Sequence, residues 1–251
     1  MTDVSFFGRD VGGGISPARA ARFDELHQIA FRILAIRLLH VWQAIERTAL
    51  PYQDMGGTWT TLWELAALVL DAELDKRMSV LVVDAPACPL PFWLAADGSR
   101  VSCVCEASDA CEAGRKIAAR LGVDVAVMQA PSSATGLEGE SIHRIFAPRI
   151  ATDAAGRRVA AECGRLLSPG GMLAVSWVLR EATPSLLDVV RDTSEASGLS
   201  PLGPLDADVV MPYGVPAVAF FIKHGTIDLG IDRVLEASPL PKIASDVRFE
   251  V

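Results

Sequence analysis

One carboxylate in this sequence has the position that nucleotide-binding sheets give to a ribose ligand. The apolar run Val80-Leu81-Val82-Val83 predicts a strand, and Asp84 then begins a loop that leads into a helix. Such a strand-to-helix junction is where doubly wound sheets hold their ligand. Glu106 ends the second predicted strand, about twenty residues after that loop begins, where a carboxylate accepts hydrogen bonds from both ribose hydroxyls. We therefore interpret Glu106 as a ribose ligand, with an exposed strand-end carboxylate as the alternative.

Other side chains capable of chemistry have simpler interpretations. His143 begins the fourth predicted strand and could serve as a general base, with a surface histidine as the alternative. Cys103, Cys105 and Cys111 do not have the spacing of a zinc site, since no Cys-x-x-Cys pair or nearby His accompanies them. We expect these thiols to be buried in the core, and we expect no metal site.

The elements that must position these residues alternate between strand and helix from residue 78 onward. This alternation is typical of a parallel sheet with crossover helices. A helix at 185–197 precedes two apolar runs at 208–211 and 217–223, and the short segment Pro212-Tyr213-Gly214 between the runs predicts a hairpin. The earlier strands are predicted at 79–84, 100–105, 124–128, 143–147 and 172–177, and the helices between them at 91–96, 109–121 and 153–167.

Two helices precede this α/β region. Residues 17–49 have helical periodicity with a narrow polar stripe, and the apolar surface is so broad that we expect neighbours on both sides. After a break at Pro51 and Gly56-Gly57, a second helix is predicted over 58–75. The chain is accordingly divided into a tail and helical lid or interface segment at 1–76 and an α/β domain at 77–251.

Two stretches resemble class I S-adenosylmethionine-dependent methyltransferases. The first, VLVVDAPACPLPFWLAADGSRVSCVCEAS, is similar to that family's opening, in which a strand, a glycine-rich loop, a helix and a strand with an acidic end recur. The second, GRLLSPGGMLAVSW, resembles the family's helix, Leu-Leu-x-Pro-Gly-Gly turn and fifth strand, and it is the more specific match. The resemblance implies a doubly wound, mostly parallel seven-stranded sheet, a Rossmann-like α/β fold, with an N-terminal helical lid.

The resemblance also implies a cofactor site, from which this loop departs. The loop from Asp84 to Pro91 contains three prolines and no glycine, so its backbone approaches a ligand less easily. Gln129 stands where the family often has a carboxylate, and its amide can both donate to and accept from an adenine edge. For Asp84, a capping role is the alternative to a contact with the methionine part of the cofactor. The contacts implied for S-adenosylmethionine or S-adenosylhomocysteine are Asp84, Ala85, Pro86, Glu106, Ala107 and Gln129.

The same resemblance suggests where an acceptor would bind. Arg149 follows the fourth strand, where family members commonly face the substrate, and it could bind an acidic or phosphorylated group; a solvated loop arginine is the alternative. Tyr52, Trp59 and Trp63 lie in the segment that covers the substrate in small-molecule members, although the tryptophans also suit a core between lid and sheet. His143 and Arg149 are the candidates for a catalytic role.

Composition restricts the partners and the location. A net charge of −8 without a long basic run argues against nucleic-acid binding and favours a small-molecule substrate. Arg32, Arg37 and His40 interrupt the most apolar helix, so we expect no membrane span. Five cysteines and the lack of a signal-peptide pattern predict a reducing, cytoplasmic location. The apolar first helix suits a homodimer or partner interface.

Two functions stay open at this point. The first is S-adenosylmethionine-dependent methyl transfer to a small-molecule acceptor. The second is a methyltransferase-like binding or assembly module without catalysis, which the glycine-free loop favours. A nicotinamide-dependent oxidoreductase is disfavoured, because the first loop lacks the G-x-G-x-x-G pattern.

Overall fold

Seven strands form one mixed sheet in the computed structural model, which describes residues 17–48, 58–70, 72, 74–177, 186–202 and 217–224. The strands are β1 (Ser79–Val83), β2 (Arg100–Cys105), β3 (Val125–Gln129), β4 (Ile142–Ala147), β5 (Leu167–Trp177), β6 (Ser200–Leu202) and β7 (Ala217–Ile222). Their order in the sheet is β3-β2-β1-β4-β5-β7-β6. Neighbours from β3 to β5 are parallel, and β7 runs antiparallel to both β5 and β6. The predicted seven-stranded, mostly parallel sheet is confirmed.

Helices cover both faces of this sheet. Those described are α1 (Pro17–Glu46), α2 (Thr58–Leu70), α3 (Pro89–Ala96), α4 (Ser108–Leu121), α5 (Ala154–Leu166) and α6 (Leu186–Ser197). Val80 and Val82 pack with α1 to α4 into one core, while Leu81 and Val83 pack with α5 and α6 into a second. Successive side chains of a strand point to opposite faces, which explains this division. Because both faces are covered, β1 is apolar from Val80 to Val83.

Two helix ends are fixed by recognisable capping groups. The Asp153 carboxylate accepts hydrogen bonds from the backbone N–H groups of Ala155 and Gly156 at 2.8 and 3.2 Å, and so begins α5. α4 ends at Leu121 and is capped by Gly122, whose φ of 67° is the left-handed conformation that glycine adopts at helix C-termini. Because α4 and α5 follow β2 and β4 in the chain, their N-termini lie at the carboxyl edge of the sheet. That edge is where the sequence predicts the site.

Some boundaries differ from the sequence prediction. β5 begins at Leu167, but its register with β4 shifts between the pairs Ile142–Leu167 and Arg144–Met172, so the predicted Ser168-to-Gly171 turn forms an irregularity within the strand. There the Gly170 N–H donates to the Lys223 carbonyl at 2.9 Å. Besides β5, β7 pairs with β6 at Ser200–Leu202, while the hairpin partner predicted at 208–211 lies outside the described residues. The helices α1 and α2 end at Glu46 and Leu70, before the predicted ends. Pairing with strands distant in sequence sets the limits of β5 and β6, and local patterns do not encode that pairing.

The helix α1 is packed on one side and exposed on the other. Trp42 is 1% exposed, whereas Ile29, Ile33 and Ile36 are 44%, 47% and 50% exposed. The described part of the chain therefore gives α1 neighbours on one side, where the sequence predicted two. By length and composition alone, Gln28–Glu46 could cross a membrane, a criterion that buried core helices also meet. The absence of a membrane span stays a prediction.

Candidate functional site

The loop between β1 and α3 is held in place by packing, without any glycine. Residues 85–90 are all buried. The Asp84 N–H donates to the Val104 carbonyl at 2.9 Å, and the Cys88 N–H donates to the Ala85 carbonyl at 3.3 Å, which closes a tight turn. The carbonyl of Pro86 lies directly against Gly114 of α4, where an added Cβ would be 2.5 Å from that oxygen. The loop is thus fixed between the sheet and α4.

Asp84 begins this loop in an unusual backbone conformation. Its φ of 54° is left-handed, a region that non-glycine residues adopt rarely, although aspartate tolerates it better than most. The Ser132 hydroxyl donates to its carboxylate at 2.5 Å. Partial desolvation raises the pKa of Asp84, the Ser132 hydrogen bond opposes that rise, and the nearby charge of Glu106 adds to it. Asp84 is therefore an acid on the carboxyl edge whose position is fixed by the chain and by Ser132.

Glu106 and Gln129 meet Asp84 at the same edge. Glu106 follows the last residue of β2, is exposed, and stands beside the exposed Ala107 at the start of α4. Gln129 ends β3, pairs in register with Cys105, and its Nε2 donates to the Glu106 carbonyl at 3.4 Å. The structure therefore brings together the polar residues predicted to hold a nucleoside. Ala85 and Pro86 lie in the adjoining buried loop, and cofactor binding by all six residues stays a prediction.

Arg149 is joined to a buried acid that the sequence analysis missed. Its Nε donates to Glu64 Oε2 at 2.9 Å, and the Ser176 hydroxyl donates to Glu64 Oε1 at 2.5 Å. The Glu64 side chain is 0% exposed and that of Arg149 is 22% exposed. Burial raises the pKa of Glu64, and the hydrogen bond from Ser176 and the charge of Arg149 oppose this. A lone acid inside the apolar helix TWTTLWELAALVL was the signal that could have indicated Glu64.

The backbone around Arg149 fixes the direction of its side chain. Its φ is 58°, and its N–H donates to the Ser176 hydroxyl at 2.8 Å. The next N–H, of Ile150, donates to the Ser176 carbonyl at 2.9 Å. Since Glu64 belongs to α2 and Ser176 to β5, these contacts tie the N-terminal helices to the carboxyl ends of β4 and β5.

A cavity of about 230 Å³ opens beside these residues, between the carboxyl ends of β1 and β4 and the start of α5. Asp84 and Arg149 both line it, together with Val83, Ala147, Pro148 and Val159. Pockets for drug-sized ligands usually measure about 300–1,000 Å³. The cavity is therefore the size of a small ligand or of one part of a larger ligand.

The other predicted residues are not brought to this edge. His143 lies at the start of β4, where its Nδ1 accepts the N–H of Ser79 at 3.2 Å, at the amino edge of the sheet. It is thus at the opposite end of the strands from Glu106. All of Tyr52 and the side chains of Trp59 and Trp63 lie outside the described residues.

The cysteines are buried free thiols, as predicted. Burial raises the pKa of Cys88 and of Cys163 to about 12, so these thiols stay protonated near neutral pH. Within the described ranges, no group of three or more His, Cys, Asp or Glu side chains is placed to hold a metal ion.

Known structures share this architecture, whereas no protein-family model and no curated protein matches the sequence. The YcgJ protein from Bacillus subtilis aligns with a TM-score of 0.52 at 14% identity, over 64% of this chain and 98% of its own. A TehB-like SAM-dependent methyltransferase from Corynebacterium glutamicum aligns with a TM-score of 0.51 at 14% identity, over 75% of this chain and 97% of its own. This chain has the class I methyltransferase fold. Identities this low establish the fold alone.

The same fold serves more than one reaction among these neighbours. The [4+2]-cyclase SpnF aligns with a TM-score of 0.50 at 17% identity, over 61% of this chain and 64% of its own. A methyltransferase fold therefore does not by itself specify methyl transfer, and the function must be argued from the residues at the carboxyl edge.

Proposed function

We propose that this protein binds S-adenosylmethionine at the carboxyl ends of β1, β2 and β3 and transfers its methyl group to a small-molecule acceptor. The observation that carries this proposal is the meeting of exposed Glu106 with Gln129 and Asp84 on three adjacent strand ends. A carboxylate at the end of β2 is placed to accept hydrogen bonds from ribose hydroxyls. The acidic chain favours a small acceptor over nucleic acid.

The residues present fit the two ends of this cofactor unequally. Glu106 and Gln129 offer exposed polar groups for the ribose and the adenine edge, and Ala107 leaves the surface beside them open. At the other end the loop offers fewer N–H donors, because Pro86 and Pro89 have none. There the neighbouring cavity supplies charged side chains instead of loop backbone.

Methyl transfer requires the protein mainly to position the cofactor and the acceptor. The cofactor supplies an electrophilic methyl group on a sulfonium, and holding the acceptor in line with that group while excluding water provides most of the rate enhancement. Glu106 and Gln129 would hold the nucleoside, and Arg149, fixed by Glu64 under α2, would face the acceptor side. None of these roles requires a dedicated acid or base.

A second candidate function is a methyltransferase-like binding or assembly module without catalysis. The observation that favours it is the burial of residues 85–90, which leaves about 230 Å³ at this edge. That volume is smaller than usual ligand pockets of about 300 Å³ and above. The two candidates differ in whether the protein binds the cofactor at all.

Calorimetric titration with S-adenosylmethionine and S-adenosylhomocysteine separates the two candidates. We expect micromolar binding, and a loss of about tenfold or more in Glu106→Ala, since the ribose hydroxyls lose their acceptor. Glu138→Ala is the matched control, because Glu138 is an exposed acid in the β3–β4 connection. No binding to the folded protein would contradict the first proposal and favour the second.

A homodimer through α1 is part of the proposed assembly. The exposed Ile29, Ile33 and Ile36 are spaced four and three residues apart, the spacing of a coiled-coil seam. We place this assembly in a reducing, cytoplasmic compartment, which suits five buried free thiols.

A further inference from the structure

The helix α2 packs on β5 and carries two fully buried polar side chains, Thr61 and Glu64. Ala174 of β5 packs in the core with α1 to α4, and Ser176, two residues further on, points to the same face of the sheet. On that face the Ser176 hydroxyl donates to Glu64. The guanidinium of Arg149 reaches the same place, because its Nε donates to Glu64. Residues from α2, β5 and the end of β4 therefore form one polar cluster under α2.

Three donor groups of this cluster are not used by the folded chain. Within the residues that the structure describes, the Thr61 hydroxyl has no hydrogen-bond partner, and neither Nη atom of Arg149 has one. Side chains on a helix lean toward its N-terminus, so Glu64 and its arginine lie over the turn that Thr61 begins. Leaving a buried hydroxyl without a partner costs stability, which a ligand that accepts its hydrogen bond would restore.

Unused donors favour a ligand that is rich in oxygen acceptors. The two Nη atoms form a planar fork that matches two oxygens of a carboxylate or a phosphate. The Arg149 side chain is 22% exposed, so a small anion can reach this fork from solvent. Glu64 does not require the same donors, since Ser176 and the Nε of Arg149 donate to its two oxygens. The buried acid thus orients the arginine, whose outer edge can bind a second anion.

From this arrangement we infer that the methyl acceptor carries an anionic oxygen group, a carboxylate or a phosphate, which accepts hydrogen bonds from the Nη atoms of Arg149 and from Thr61. The site lies at β4 and β5, beside the strands β1 to β3 that are proposed for the nucleoside. The role of the anion as a methyl acceptor rests on the proposed function, whereas the binding of the anion does not require the cofactor.

NMR titration at constant ionic strength with three small probes tests the anion site. Acetate and inorganic phosphate carry the two proposed groups, and acetamide has the shape of acetate without its charge. We expect at least one anion to bind about tenfold or more tightly than acetamide, and the tighter anion identifies the group. If neither anion binds more tightly than acetamide, the inference is overturned.

Glu64→Gln gives this test a direction that damage to the fold does not imitate. The charge of Glu64 opposes a bound anion, while a glutamine amide can still accept the hydrogen bond from the Nε of Arg149. We expect Glu64→Gln to bind the preferred anion about tenfold more tightly, and Glu64→Gln/Arg149→Met to lose that binding. Weaker anion binding by Glu64→Gln would contradict the site.

The hydroxyl and the choice of arginine are tested by two more variants. Thr61→Val keeps the shape of the side chain and should weaken anion binding about threefold or more. It should not lower the unfolding temperature, because the hydroxyl has no partner to lose. Arg158→Met removes an exposed arginine of α5 and should bind the anion as the wild-type protein does. Unchanged binding by Thr61→Val, or an equal loss in Arg158→Met, would contradict the assigned contacts.

Repeating the titration with S-adenosylhomocysteine separates this inference from the proposed function. An anion that binds equally well to the protein saturated with the nucleoside supports a separate acceptor subsite, and displacement of the anion overturns it. If the anion binds as expected and the nucleoside does not, the anion site stands and methyl transfer fails. If the nucleoside binds and neither anion does, the proposed function stands and the acceptor class is overturned.

Discussion

Removing Arg149 should make the stability of this protein strongly dependent on pH. In Arg149→Met the stem of the side chain is kept and the charge is lost, which leaves Glu64 buried without its ion partner. Breaking one side of a buried pair costs about 3–5 kcal/mol. Because the Arg149 side chain is 22% exposed, we expect the lower end, about 3 kcal/mol at about pH 8.

The direction of the pH effect follows from the pKa of Glu64. Burial already raises that pKa, and the charge of Arg149 lowers it, so the substitution raises it further. A carboxyl group whose folded pKa is raised binds its proton more tightly when folded. Its contribution is complete below the unfolded pKa of about 4.3 and is lost as the pH rises through the folded pKa. At about pH 4.5 the deficit of the variant should fall to about 1–2 kcal/mol, the value of the lost hydrogen bond.

Urea unfolding of the wild-type protein and the variant at several pH values measures this deficit. The control is Arg157→Met, whose ion pair with Asp192 spans 3.5 Å on the surface and should contribute under about 1 kcal/mol at every pH. The double variant Glu64→Gln/Arg149→Met should lose the pH dependence. A deficit for Arg149→Met that is the same at both ends of the pH range would refute a buried, ionised Glu64.

Two further predictions concern the loop and the helix face. Gly114→Ala places a Cβ 2.5 Å from the Pro86 carbonyl and should lower the free energy of unfolding in urea by about 1–3 kcal/mol. The control is Gly139→Ala, whose added Cβ would have its nearest atoms at 3.4 Å and should change that free energy little. If both substitutions cost the same, the loop is not fixed by α4. If the proposed dimer through α1 forms, Ile33→Glu should make the protein monomeric by light scattering after gel filtration, because it places a charge in the proposed seam. A wild-type protein that is already monomeric at micromolar concentration would contradict the dimer.

The glycine-free loop between β1 and α3 is fixed at the carboxyl edge of the sheet by packing. Glycines let a backbone approach a ligand closely, and here Pro86 and its buried neighbours fill that space against α4. The positive φ of Asp84 sets the direction in which the loop leaves β1. A glycine with this backbone conformation would have no side chain, whereas Asp84 carries a carboxylate. In the proposed cofactor site, side-chain charge would take the place of backbone contact as the means of recognition. The ligand titrations proposed above decide between a site that recognises the cofactor through side-chain charge and a site that is closed to the cofactor.

Local sequence patterns determined much of the fold. Continuous apolar runs such as Val80 to Val83 predict strands that are buried on both faces, and the alternation with helices predicts parallel pairing. The position of Glu106 at the end of β2 follows from the same pattern, because the carboxyl ends of parallel strands lie at one edge. The seven-stranded, mostly parallel sheet was implied by the resemblance of GRLLSPGGMLAVSW and its neighbours to one family, and the structure supplied the order of its strands.

Tertiary structure alone decided which side chains share a site. Glu64 and Arg149 are 85 residues apart, and Asp84 and Ser132 are 48 apart, so no spacing rule connects either pair. Their contacts depend on how α2 and the β3–β4 connection pack over the carboxyl edge. The place of His143 at the amino edge, away from Glu106, follows instead from its position at the start of parallel strand β4. Sequence periodicity specifies which face of an element is buried. The partner of a buried charge is set by long-range packing, because a charge is desolvated and paired only once the elements around it have packed together.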